Sequence, residues 1–186
     1  TLDSIVWMAE GGRTGEVVSM TTNLARLLRL SIGSGDAMVS LRSELDYLRS
    51  YLAIQQMRYR DRLTYVVEAE ESALDVRLPR LTLQPAVENA IYHGIKQREA
   101  GGEVRVECRC HGDHVRVDVS DNGPGMDAQT LLATRNGTPE AGNGVGLHNI
   151  RQRLALTFGS DYEFLVDSRP GEGTRVRFCI PRRPAA

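Results

Sequence analysis

Along the first sixty positions the apolar residues recur at helical steps. Val17, Met20, Leu24, Leu27 and Leu28 form one run, and Leu41, Leu45, Leu48 and Leu52 another; steps of three and four keep residues on one face of an α-helix. The break between the runs falls at 31–36, where Gly33 and Gly35 stand, and Ser40 is suited to cap the second helix. So narrow a stripe packs helix on helix or chain on chain. For Leu41 to Leu52 the alternative is a helix that covers the second half of the chain, since a short amphipathic helix needs one surface to bury against.

Beyond Leu63 the period changes to two. Val104, Val106, Cys108 and Cys110 alternate with Arg105, Glu107 and Arg109; a turn at 111–114 follows, and then Val115, Val117 and Val119 alternate with Arg116 and Asp118. This pattern predicts a hairpin with one wet face. Phe164 and Val166, a turn at 169–173, and Val176, Phe178 and Ile180 repeat the arrangement, and 63–70 reads as a further strand. Helices are expected at about 85–93 and 147–158, ended by Gly94 and Gly159. Hairpins with helices on one face imply an α+β fold, a two-layer α/β sandwich over 61–186, preceded by a helical segment over 1–60.

Composition narrows this little. The chain has 186 residues, 41% hydrophobic and 25% charged, near the soluble globular average. A net charge of −1 gives no electrostatic reason to expect nucleic acid or an anionic membrane as partner. No apolar run approaches the roughly 18 residues of a membrane span, and 1–10 lacks a signal-peptide layout. The chain is therefore expected to be soluble, and its start at Thr1 suggests a piece of something longer. Cys108, Cys110 and Cys179 lack metal-ligand spacing; Cys108 and Cys110 share a strand face and read as core residues of a protein in a reducing compartment.

Chemistry concentrates in three segments. In Leu83-Gln84-Pro85-Ala86-Val87-Glu88-Asn89-Ala90-Ile91-Tyr92-His93-Gly94, a helix opening near Pro85 buries Val87, Ala90 and Ile91 and turns Glu88, Asn89, Tyr92, His93 and Lys96 another way. The Asn89 oxygen is a neutral hard ligand suited to Mg²⁺ shared with phosphates, and His93 and Lys96 offer donors. In Val117-Asp118-Val119-Ser120-Asp121-Asn122-Gly123-Pro124-Gly125-Met126, a strand delivers the Asp121 carboxylate into a sharp turn. That carboxylate can accept the amino proton of adenine, with Gly123 and Gly125 letting the backbone approach the ring.

The third segment, Gly142-Asn143-Gly144-Val145-Gly146-Leu147-His148-Asn149-Ile150-Arg151-Gln152-Arg153-Leu154, runs glycines into an amphipathic helix whose free amides can cradle phosphate. Its spacing is neither that of a dinucleotide-binding fingerprint nor of a P-loop. Between the second and third segments, 127–141 has the small polar residues, Gly137 and Pro139 of a lid over a ligand. Lastly, Thr174 follows the turn Gly171-Glu172-Gly173 and can reach toward the adenine end.

In this order the segments resemble the N, G1, G2 and G3 boxes of the Bergerat-fold (GHKL) ATPases, the superfamily of gyrase, histidine kinases and MutL. The first and third are similar to those of LytS-type sensor histidine kinases, as is the stretch Glu44-Leu45-x-Tyr47-Leu48 with Tyr51-Leu52-x-Ile54-Gln55. The resemblance implies an ATP-dependent protein histidine kinase of a bacterial two-component system, with ATP and Mg²⁺ as cofactors. It implies that Asn89 binds Mg²⁺, Asp121 holds adenine, and Gly142, Gly144 and Gly146 admit the phosphates. Gly123, Gly125, Met126, Leu147 and Thr174 would complete the ATP site. Glu88, beside Asn89, would be catalytic in a role left open, and the cation on the phosphates would be Lys96, His93 or an arginine. Pro85 stands where a hydrolytic relative carries an acid or amide, which weighs against a gyrase-like ATPase or serine kinase.

The acceptor histidine of that family would stand just upstream of Thr1, so the chain is expected to bind ATP without labelling itself. Its partners would be a second copy through the N-terminal helices, a response regulator receiver domain, and the membrane only through upstream segments of a cytoplasmic, inner-membrane-anchored sensor. The alternative from another class is a nucleotide-insensitive dimeric signalling scaffold.

Overall fold

The computed structural model describes residues 2–32, 36–96, 98–136 and 144–182. It begins with α1 (Leu2–Glu10) and α2 (Thr14–Ile32), joined through Gly12 at a φ of +68°. After β1 (Met38–Ser40) comes α3 (Leu41–Tyr59), opened as its sequence requires: Ser40 is extended and its Oγ accepts from the Ser43 N–H at 3.2 Å. Leu41, Leu45, Leu48 and Leu52 are fully buried in the main core. Their stripe therefore covers the second half of the chain, the alternative left open by its spacing. The other side of α3 gives Ile54 to a small cluster with Met8 and Met20, against which Val17, Leu24 and Leu27 pack. Leu28, assigned to the same stripe by its spacing, is 52% exposed.

The sheet contains β2 (Leu63–Ala69), β4 (Gly102–His111), β5 (His114–Asp121), β6 (Glu163–Arg169) and β7 (Gly173–Pro181), with β3 (Arg77–Pro79) pairing separately with β1. Its order is β2-β4-β5-β7-β6, antiparallel except for β2 beside β4. Val104, Val106, Cys108, Val115, Val117, Val119, Val176, Phe178 and Ile180 line the buried face. The opposite face is charged, with Asp118 holding the Arg177 Nε at 2.8 Å across the strands. Burial pushes the Cys108 thiol up to about 12, which suits a core residue.

Over the apolar face lie α4 (Gln84–Asn89), a single π-helical segment (Ala90–Ile95) and α6 (Gly144–Phe158). Together with α3 they form the second layer. Two differences from the sequence expectation stand out here. Gly94 does not end its helix, which continues as a wide turn through Ile95. The helix expected from 147 begins at Gly144, while Gly159 closes it at a φ of +62° as expected. Within the expected lid, 128–136 forms α5 (Ala128–Asn136), and 137–143 lies outside the described residues, as do Gly33 and Gly35.

Candidate nucleotide site

Asp121 ends β5, the sheet's central strand, opposite Val104 of β4 and Thr174 of β7. It is only 9% exposed, and its Oδ1 accepts from the Gly123 N–H at 2.8 Å. Burial pushes its carboxyl up to about 6, while the Gly123 and Thr174 backbone N–H groups oppose the rise. Glycines wall it in. A Cβ on Gly94 would lie 2.5 Å from Asp121 Oδ1, and one on Gly123 would lie 2.6 Å from it. Gly173, at a φ of +89°, lies against the Asp121 carbonyl, where a side chain would collide. The glycine that a sequence reading assigns to helix termination is thus the one that makes room for the carboxylate.

Beside Asp121, Ser168 Oγ ties the Met126 N–H at 2.8 Å to Thr174 Oγ1 at 2.9 Å. Met126 and Thr174 are buried. With His93, Gly94, Gly125, Asp127 and Thr130 they line a cavity of about 130 Å³. A buried acceptor next to a cavity walled by glycines and a methionine can take a flat base carrying an amino group.

His93 joins this cavity to a second and larger one. The second cleft, about 440 Å³, is lined by Pro85, Glu88, Asn89, Tyr92, His93 and Lys96, by Gly146 at the start of α6, and by Tyr51, Gln55, Arg58 and Tyr59 of α3. Asn89 is 8% exposed. Glu88 accepts from Gln84 Nε2 at 2.7 Å, one turn back. Lys96 Nζ sits 4.2 Å over the Tyr92 ring, whose edge meets His93 at 5.3 Å between centroids. Partial burial lowers the His93 pKa from its usual value, which favours the uncharged ring. The N-terminus of α6, whose first N–H groups have no partner within the helix, puts the positive end of a helix dipole on the Gly146 side.

Glu44 positions the helix that carries Asn89. Its carboxylate accepts from the Leu81, Thr82 and Leu83 N–H groups at 2.6, 2.9 and 3.1 Å. Those donors precede α4, at a turn where Leu81 has a φ of +59°. Arg153 of α6 donates to the Arg80 carbonyl at 2.9 Å on the same turn. Burial pushes the Glu44 carboxyl up, and the three N–H groups and Arg153 pull it back. One buried acid therefore links α3, the start of α4 and α6.

Of the residues singled out in the sequence, Asn89, His93, Lys96 and Gly146 share the larger cleft, and His93, Gly125, Met126 and Thr174 the smaller. Asp121 lies behind Gly94 of the smaller cavity, against Gly123, and with Ser168 and Thr174 lines a neighbouring cavity of about 540 Å³. Leu147 is 1% exposed and belongs to the core beneath the site; Gly142 lies outside the described residues. The α3 wall was not expected. Its only sequence signal was that Tyr51, Gln55, Arg58 and Tyr59 interrupt an apolar helix at helical spacing.

Residues 75–184 match the family described as Histidine kinase-, DNA gyrase B-, and HSP90-like ATPase, and residues 1–63 match that described as Histidine kinase. The sensor histidine kinase YesM of Bacillus subtilis (strain 168) is 36% identical over 183 residues, 98% of this chain and 31% of that protein. The sensor protein LytS of Oceanobacillus iheyensis is 31% identical over 166 residues, 86% of this chain and 28% of its own length. The chain thus spans about three-tenths of these relatives. Among solved structures, the histidine kinase domain of the blue-light activated histidine kinase of Erythrobacter litoralis EL346 superposes with a TM-score of 0.59 at 22% identity, covering 97% of this chain and 87% of the other. That likeness is one of fold.

Proposed function

Because the chain belongs to the family of histidine kinase-, DNA gyrase B- and HSP90-like ATPases, in its sensor histidine kinase branch, we propose that it binds Mg·ATP and presents the γ-phosphate to a histidine. The phosphoryl group then passes to an aspartate of a response regulator receiver domain. The observation that carries this reading is Asp121, a buried acceptor set against Gly94, the residue that follows His93 and with it lines the cavity next to the cleft of Asn89. Adenine donates its amino proton to Asp121, Asn89 holds Mg²⁺ with phosphate oxygens, and the amides at the start of α6 meet the phosphates. Phosphoryl transfer asks mainly for positioning and charge. Glu88, on the same cleft, is the candidate for polarising the accepting group.

In this reading 1–60 serves dimerisation and linkage and 61–186 binds ATP. Leu2, Val6 and Trp7 of α1 and Val18 and Leu28 of α2 are more than half exposed and supply apolar surface for a second copy. Among the described residues no helix is long and apolar enough to cross a membrane; anchoring belongs to other segments of the parent sensor, with this part in the cytoplasm.

Calorimetric titration with a non-hydrolysable ATP analogue and Mg²⁺, beside Asp121→Asn, tests the proposal. We expect micromolar-range binding, weakened by about tenfold or more in the variant, as the loss of a hydrogen bond to a charged group implies. A wild-type chain that ignores the nucleotide would favour the signalling-scaffold reading.

A further inference from the structure

The larger cleft has a wall outside the nucleotide segments, and that wall carries a cation. Building on the reading of the Asp121 site as a nucleotide site, we propose that Arg58 of α3 binds the terminal phosphates of the nucleotide, so that the helix preceding the sheet completes the ATP site.

The cleft sets Arg58 and Gln55 across from Glu88, Asn89 and Gly146. Base and phosphates need different ends of the site. Thr174 and Met126 line the smaller cavity, with Asp121 just behind its Gly94, whereas the proposed Mg²⁺ ligand Asn89 and the glycine at the start of α6 lie on the larger one. Phosphates bound at that end therefore face α3. They also need more charge than Mg²⁺ brings, because a triphosphate holding one divalent ion keeps a net negative charge. The formal cations lining the cleft are Lys96 and Arg58. The ammonium of Lys96 lies over the Tyr92 ring. Arg58 stands over Tyr59, its Cζ 5.6 Å from the ring centroid, which leaves the in-plane donors of a guanidinium able to fork onto phosphate oxygens.

The mounting of Arg58 is rigid enough for that task. It lies in the last turn of a helix capped by Ser40 and seated by four fully buried leucines. Just beyond it, the Arg60 N–H closes on the Gln56 carbonyl at a φ of +52°, and Gln56 Nε2 donates to the Leu63 carbonyl at 3.3 Å. Glu44 ties the same helix to the start of α4. Arg58 and Asn89 therefore sit on elements that are joined to one another, as a shared ligand requires.

Calorimetric titrations of the full chain with Mg²⁺ and an ATP analogue, ADP and adenosine, for wild type, Arg58→Ala and Arg58→Lys, separate the possibilities. Arg58→Ala is expected to weaken the ATP analogue by about tenfold to a hundredfold, to weaken ADP less, and to leave adenosine within twofold. Arg58→Lys should recover part of the loss. Unchanged binding of the analogue by Arg58→Ala would overturn the assignment while leaving the nucleotide site standing. Equal losses for the analogue and adenosine would also overturn it, by showing a general disturbance of the fold. A wild-type chain that binds none of the three would overturn the nucleotide reading and this one with it.

Discussion

Asp121, the proposed adenine acceptor, shows what a buried carboxylate costs the fold that holds it. Its carboxyl titrates at about 6 in the folded protein against an ordinary 3.8, so the folded state holds the proton more tightly than the unfolded one. Stability from this group is complete below about pH 3.8 and is lost as pH rises through about 6. At neutral pH the ionised carboxylate then costs about 3 kcal/mol, each pH unit being worth about 1.4 kcal/mol. Asp121→Asn carries no such charge. Across thermal melts of the ligand-free protein, the wild-type Tm is expected to fall relative to the variant between pH 4 and 6 and to run parallel to it above 7. Parallel curves throughout would mean that the carboxylate is solvated. In the proposed nucleotide binding the sign reverses: the ionised acceptor is the one that meets adenine, so the stabler variant is expected to bind worse. The glycines at 94 and 123 belong to the same bargain, since side chains there would fill the space beside the carboxylate, while Gly173 makes room for the Asp121 carbonyl.

Among the elements, α3 joins parts of the molecule far apart in sequence, and Glu44 is its tie. Removing that carboxylate leaves three backbone N–H groups at 81–83 without their acceptor, two of them buried. Glu44→Ala is expected to destabilise the protein by about 3 kcal/mol or more, since each orphaned buried donor costs about 1–3 kcal/mol. Glu44→Gln, which keeps one carbonyl oxygen, should lose less. Urea unfolding midpoints at pH 7 check the order of the two. None of this tie was legible beforehand. The alternation of β4, β5 and β7 was, because a half-buried strand writes its burial into every second residue, and so was the Ser40 cap, a local hydrogen bond three residues long. By contrast, the pairing of Met38–Ser40 with Arg77–Pro79 is too short to show a period. The wide turn at Ala90–Ile95 sets Gly94 against Asp121, a contact distant in sequence. The site divided in the same way. Asn89, Asp121 and Gly146 stood out because each lies in a compact segment of unusual chemistry, whereas the Arg58 wall exists only once α3 has folded against α4.

At the scale of the whole molecule, the proposed division of function at residue 60 differs from the division of folding. Leu41, Leu45, Leu48 and Leu52 lie in the same core as Val106, Val117 and Phe178 of the sheet. Burying a leucine side chain stabilises by about 1.5–3 kcal/mol, so the four contribute about 6–12 kcal/mol. A domain's entire stability is about 5–15 kcal/mol. In contrast, α1 and α2 bury their apolar residues chiefly in the small cluster around Met8, Met20 and Ile54. A chain of residues 37–186 is therefore expected to unfold cooperatively in urea and to bind the ATP analogue much as the full chain does. A chain of residues 61–186 should lack a cooperative transition, because the sheet's apolar face and the start of α4 lose their cover. If 61–186 instead unfolded in one sharp step with a similar slope, the sheet, α4 and α6 would close a core by themselves, and α3 would be an appended wall. Its nucleotide affinity would then read out the contribution of the α3 wall as a whole, Arg58 with Tyr51, Gln55 and Tyr59, as the deficit relative to 37–186 for the ATP analogue but not for adenosine.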